Sequence, residues 1–119
     1  MHKYILYAGY GWLVLTGVLH FIVDVVSQHL RGKRIPSQET TLYYGFNAAF
    51  SLGQVVFGLL GLFLAWRAMG LLSEKPVLIL ALAAGIGWLA LTFLFMTYRE
   101  PKINAAIFCA LILAALFTR

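Results

Sequence analysis

Four stretches of this chain contain no Lys, Arg, Asp or Glu: Tyr4 to Val23, Thr40 to Trp66, Pro76 to Tyr98 and Ile103 to Thr118. A helix needs roughly 20 apolar residues to cross a hydrocarbon core of about 30 Å. The first three stretches meet that length. The fourth, with 16 residues, reaches about 24 Å and spans if the bilayer thins or if Lys102 and Arg119 snorkel outward. The apolar residues run continuously, whereas the strands of a membrane barrel alternate apolar and polar over about 10 residues. Helices and closed barrels are the two ways to satisfy backbone hydrogen bonds in lipid. The reading is therefore an all-α polytopic membrane protein, with four transmembrane helices in an antiparallel bundle.

Composition agrees with that reading. The chain is 62% hydrophobic and 11% charged, against about 25% charged in a soluble domain. The run after Met1-His2-Lys3 is too long for a signal peptide and no small-residue cleavage site follows it, so it is read as the first helix. The net charge of +5 is spread over every loop. It suits contact with anionic lipid better than nucleic acid. Cys109 is a lone cysteine in an apolar stretch, a packing residue rather than half of a disulfide.

The expected single domain, residues 1–119, has helices at about 4–27, 42–68, 76–99 and 102–118, with a long first loop at 28–41. Pro76 suits a first helical turn, and Pro101 is read as a sharp break between helices 3 and 4. Short turns make helices 2, 3 and 4 antiparallel neighbours. Four spans place both termini on one side. Lys3, Arg67, Lys75 and Arg119 fall there; Arg31, Lys33, Arg34, Arg99 and Lys102 fall on the other, which is too even a split for the positive-inside rule to orient the chain.

Gly9-Tyr-Gly-Trp-Leu-Val-Leu-Thr16 repeats as Gly85-Ile-Gly-Trp-Leu-Ala-Leu-Thr92, identical at six of eight positions. The same offset aligns Asp24 with Glu100, and Asn47-Ala-Ala recurs as Asn104-Ala-Ala. The pattern suggests a duplicated helical hairpin, a parallel repeat about an axis along the membrane normal.

Polar residues inside a bilayer are costly and are candidates for function. Thr16, His20 and Asp24 share one face of helix 1, and Asn47, Ser51 and Gln54 share one face of helix 2. Counting back from loop 1 sets Asp24 level with Asn47, His20 with Ser51 and Thr16 with Gln54. Asn104 and Tyr98 fall in the same leaflet. His20, Asp24, Asn47, Ser51, Gln54 and Asn104 are the candidate ligand-binding residues.

Three functions compete. The first is a non-catalytic membrane component, either a small amphiphile- or lipid-binding protein or an accessory subunit of a larger complex. The second is an intramembrane enzyme in which His20 and Asp24 form an acid–base pair acting on a lipid-soluble substrate. The third is a small proton-coupled exporter. No metal or cofactor is expected. His20 and Asp24 supply two ligands where a site usually needs three or four, and a second intramembrane histidine for haem is lacking. Membrane lipids are the expected partners, together with a second copy or a partner subunit. Several small-xxx-small spacings (Ala49/Gly53, Gly61/Ala65, Ala81/Gly85, Ala83/Gly87, Ala106/Ala110/Ala114) would let helices approach closely, and Trp12, Trp66, Trp88, Tyr43, Tyr44 and Tyr98 suit interface anchoring.

The segment Gly45-Phe-Asn-Ala-Ala-Phe-Ser-Leu-Gly53 resembles the Gly-Phe-Asn-x-x-x-Ser-Leu-Gly segment of an uncharacterised family of small four-helix bacterial membrane proteins. It departs at Phe50, where many members carry a polar residue or histidine. The resemblance implies a bacterial cytoplasmic (inner) membrane protein and carries no activity with it. Small multidrug transporters share the size and helix count, but their essential acid lies midway along helix 1, and Asp24 lies near its end.

Overall fold

Nothing in the first thirty residues interrupts a helix before Gly32, and none does in the computed structural model, which describes residues 1–119. Helix α1 runs from His2 to Arg31. It stops where Gly32 adopts φ 59°, the left-handed conformation that glycine takes without penalty. There the Gly32 amide donates to His29 O and the Lys33 amide to Gln28 O, both at 3.2 Å, closing the carbonyls of the last turn. Within α1, Ile22–Val26 forms a π turn.

Helix α2 covers Gln38–Arg67. The Ser37 hydroxyl accepts from the Thr40 amide at 3.1 Å, and Glu39 lies in the first turn, where a carboxylate favours the helix dipole. The expected loop at 28–41 is therefore shortened to 32–37. Helix ends follow capping residues, not the limits of the apolar run.

After α2, Ala68 leaves helical geometry and Met69–Leu72 makes a single turn. Helix α3 is Lys75–Phe95, with Pro76 in its first turn. Its end falls four residues before the expected Arg99. Met96 is extended, and the Lys102 ammonium donates to Met96 O at 2.9 Å and Tyr98 O at 3.3 Å, holding this turn open. Helix α4 is Glu100–Thr118 and takes Pro101 into its first turn. Pro101 thus starts a helix instead of separating two. The 19 residues of α4 reach about 28 Å, longer than the 16-residue apolar run alone, because the helix begins at Glu100.

All four helices are long and apolar enough to cross a membrane, and the chain has no strand. It is an integral membrane protein built as an all-α bundle. Helix α1 packs along both α2 and α4, and α4 along α3. Helices α2 and α3, expected as antiparallel neighbours, meet across a wider seam. The two meet chiefly through rings, Phe57 on Trp88 at 5.5 Å and Phe46 on Phe95 at 5.6 Å between centroids. Rings of that size hold backbones apart, whereas glycine brings them together. A Cβ on Gly61 would overlap the Tyr10 ring, and one on Gly58 would lie 2.9 Å from Tyr10 O, so α1 and α2 are in near-backbone contact there.

The core lies toward the terminal end of the bundle, with Leu6, Tyr10, Leu13, Leu72, Leu78, Phe108 and Ile112 almost wholly enclosed. Leu15, Val18, Ile22, Leu52, Leu59, Ile86 and Phe93 face outward, while Thr16, His20, Asp24, Asn47, Ser51, Gln54 and Thr92 face inward. Polar groups inside and apolar groups outside are the arrangement expected in lipid. Of the small-residue pairs, Gly61/Ala65 and Ala81/Gly85 are buried between helices, whereas Ala49/Gly53 and Ala83/Gly87 sit on less enclosed faces.

Candidate functional site

At the end of the bundle opposite the core, α1 and α2 run on past the turn between α3 and α4. The early end of α3 and this overhang leave a cleft of about 1250 Å³ bordered by all four helices. Helix α1 gives it Leu19, His20, Val23, Asp24 and Gln28, and α2 gives Glu39, Leu42, Tyr43, Phe46 and Asn47. The α3 end and following turn add Phe95, Met96, Thr97 and Tyr98, and α4 adds Glu100, Pro101 and Asn104. Arg34 reaches in from the first loop.

The deepest polar feature is a chain of three side chains. Asn47 donates from Nδ2 to Tyr43 O at 2.9 Å, so its Oδ1 faces His20 Nε2 at 2.8 Å. An amide oxygen only accepts, so Nε2 carries a proton. The other ring nitrogen, Nδ1, lies 2.9 Å from Asp24 Oδ2. A proton between Nδ1 and that carboxylate would make the contact a hydrogen bond, and either placement of it would leave the pair neutral overall. Moving the ring proton to the other tautomer would set a lone pair against Asn47 Oδ1 and cost this hydrogen bond. Asn47 therefore fixes the tautomer, as a second partner commonly does for histidine. Phe50 packs on the imidazole at 5.1 Å and restricts it to one orientation. His20 and Asp24 have side chains 5% and 8% exposed, so the pair is shielded although it borders the cleft.

The rim carries a second network. Arg34 stacks on Tyr43 at 3.4 Å and donates from Nε to Gln28 Oε1 at 3.0 Å, while Gln28 Nε2 donates to the Tyr43 hydroxyl at 3.1 Å. Tyr98 lies in the turn between α3 and α4. Its hydroxyl is enclosed without a hydrogen-bond partner. Burial, then the neighbouring Asp24 carboxylate, push its ionisation well above the usual tyrosine range.

Of the six candidate residues, the structure brings four to the cleft: His20, Asp24, Asn47 and Asn104. Ser51 and Gln54 are not among them. Both are buried lower between the helices, and Ser51 also borders a separate groove of about 230 Å³ with Val18, Phe21 and Leu52. Thr16 is satisfied within its own helix by Trp12 O at 2.9 Å. The level count set His20 beside Ser51, but it bonds to Asn47 and leaves the Ser51 hydroxyl without a partner. Such a count places Cα atoms, and the length of an imidazole shifts its partner by a turn. Gln28, Tyr43 and Glu100 are site residues that the sequence pattern does not single out. Their signal was proximity to the ends of helices that proved longer or shorter than expected.

No group of three or more His, Cys, Asp or Glu side chains converges to hold a metal ion. His29 stacks on Tyr44, and His2 bonds to Ser73 and Thr118 at the far end. No family model, curated protein or solved structure matches the chain.

Proposed function

We propose that this protein is a non-catalytic membrane component that binds a small amphiphile or lipid in the cleft at the loop-1 end of its bundle. One observation carries the reading: a single large cleft combines an inner polar wall with an apolar rim. Leu19, Val23, Leu42 and Phe95 are exposed to the surroundings of the bundle, while His20, Asp24 and Asn47 are enclosed. A headgroup meets hydrogen-bonding groups inside, and its tail leaves across the rim into lipid. The wide α2–α3 seam suits that exit.

The duplicated hairpin remains part of the proposal. The repeat offset pairs Leu19 with Phe95, His20 with Met96 and Asp24 with Glu100, and all six border the cleft. Two half-sites meeting at a pseudo-axis would produce this pairing. The bacterial cytoplasmic membrane is the proposed location, supported by the Gly45–Gly53 resemblance. Both termini are proposed on one side, a reading supported by the hydrogen bond between His2 and Thr118, 3.2 Å long.

Photolabelling tests the binding reading. An amphiphile with a diazirine near its headgroup should label the cleft residues Phe46, Tyr43 and Phe95 saturably, and excess unlabelled amphiphile should suppress the adducts. Labelling spread evenly over outward residues such as Leu59 and Ile86 would remove it.

A second reading has a specific observation behind it. The Asp24–His20–Asn47 chain is spaced for a proton to pass between Asp24 and His20, as an acid–base catalyst or a proton-coupled exporter would require. Turnover or flux abolished by Asp24→Asn in a folded protein would favour it over simple binding.

A further inference from the structure

The chain has nine Lys and Arg residues but only four carboxylate side chains. Three of those four, Asp24, Glu39 and Glu100, border the cleft. The fourth, Glu74, lies at the start of α3, at the opposite end. A chain of net charge +5 has thus gathered its negative charge on one concave surface. Arg34 is the only Lys or Arg that borders that surface. The single ion pair in the protein is His20–Asp24, so no Lys or Arg pairs with Glu39 or Glu100. Lys102, nearby on α4, is turned onto the carbonyls of Met96 and Tyr98. Arg34 is held on the rim by Tyr43 and Gln28.

The unused hydrogen-bonding groups have the same character. One oxygen of the enclosed Asp24 holds His20, and the carboxylate borders the cleft beside Tyr98. The Tyr98 hydroxyl is enclosed and unpartnered. Asn104 lends its backbone carbonyl to Trp12 and borders the cleft. All three can accept from N–H groups. Phe46, Phe95 and Tyr98 also line the cleft, and aromatic rings attract a cation further.

We propose that the cleft selects a protonated primary or secondary amine as the headgroup of its amphiphile; this rests on the binding reading above. Glu39 and Glu100 draw the ammonium to the mouth, and Asp24, Tyr98 and Asn104 accept its N–H groups inside. A quaternary ammonium offers charge without donors and satisfies only part of the site. An anionic headgroup meets the unpaired carboxylates of Glu39 and Glu100.

Three amphiphiles with the same tail separate these cases: dodecylamine, dodecyltrimethylammonium and dodecyl phosphate. Binding is measured to the protein in nanodiscs of zwitterionic lipid, with empty nanodiscs subtracted. Dodecylamine is expected to bind saturably and about tenfold more tightly than either of the others. The Glu39→Gln/Glu100→Gln double variant should lose about tenfold for the amine. Equal affinity for all three headgroups would overturn the amine proposal and leave the cleft reading standing. Tighter dodecyl phosphate binding, or an amine preference unchanged in the double variant, would also overturn it. Saturable binding of none would remove the cleft reading as well.

Discussion

Asn47 is small, neutral and wholly enclosed, and it determines how His20 presents its ring. With Nδ2 bound to its own helix, it leaves an acceptor for Nε2–H. Nitrogen NMR of labelled His20 should therefore find a proton on Nε2, and Asn47→Leu should release that preference. A bare Nε2 in the unaltered protein would contradict the arrangement. The same substitution should cost about 0.6–1.7 kcal/mol of stability, the range for hydrogen bonds between membrane helices. Gly61 gives a steric counterpart. Gly61→Ala drives a methyl into the Tyr10 ring and should cost about 1–3 kcal/mol, read by thermal unfolding. Tyr98 has a pH signature. Its folded ionisation is raised, so its contribution to stability is complete below about pH 10 and is lost as pH rises beyond that. The stability difference between the protein and Tyr98→Phe should stay flat to that point and shift against the tyrosine above it. The spacing of Thr16, His20 and Asp24 made their shared face legible. Which neighbour each would bond was not, because that depends on side-chain reach at a sub-turn scale.

Helix ends separate what patterning reveals from what it hides. The four spans follow from uninterrupted apolar length, and each is present. Their limits follow from local chemistry. Gly32 stops α1 four residues after the expected end, Ser37 starts α2 four residues before the expected start, and the Lys102 ammonium holds the turn in which α3 stops early. Gly32→Ala should cost about 1 kcal/mol for the left-handed backbone, and Ser37→Ala about 1 kcal/mol for the lost cap. Both are read by equilibrium unfolding in mild detergent. The π turn at Ile22–Val26 had no sequence signal, since that segment contains neither glycine nor proline. It carries Asp24, and π turns recur at functional sites.

At the scale of the molecule, the inverted packing of polar inside and apolar outside was legible, because charge-free blocks with a few polar residues on one face admit little else in lipid. The cleft was not. It exists because α3 ends at Phe95 and Met96–Tyr98 turn aside; another helical turn to Arg99 would fill the space. It also depends on α1 and α2 extending beyond their apolar cores. No single residue signals a cavity made from the differing lengths of four helices. The gathering of Asp24, Glu39 and Glu100 likewise emerges only when α1, α2 and α4 are placed side by side. The central claim is that this cleft is a ligand site rather than a defect of packing. Native mass spectrometry of the protein extracted gently from its own membranes tests it most directly. A reproducible additional mass of small-amphiphile size is expected, lost in His20→Ala and Asp24→Asn while both variants stay folded. A bare chain, or one that travels only with another polypeptide, would contradict it and leave the polar cluster a matter of packing and assembly.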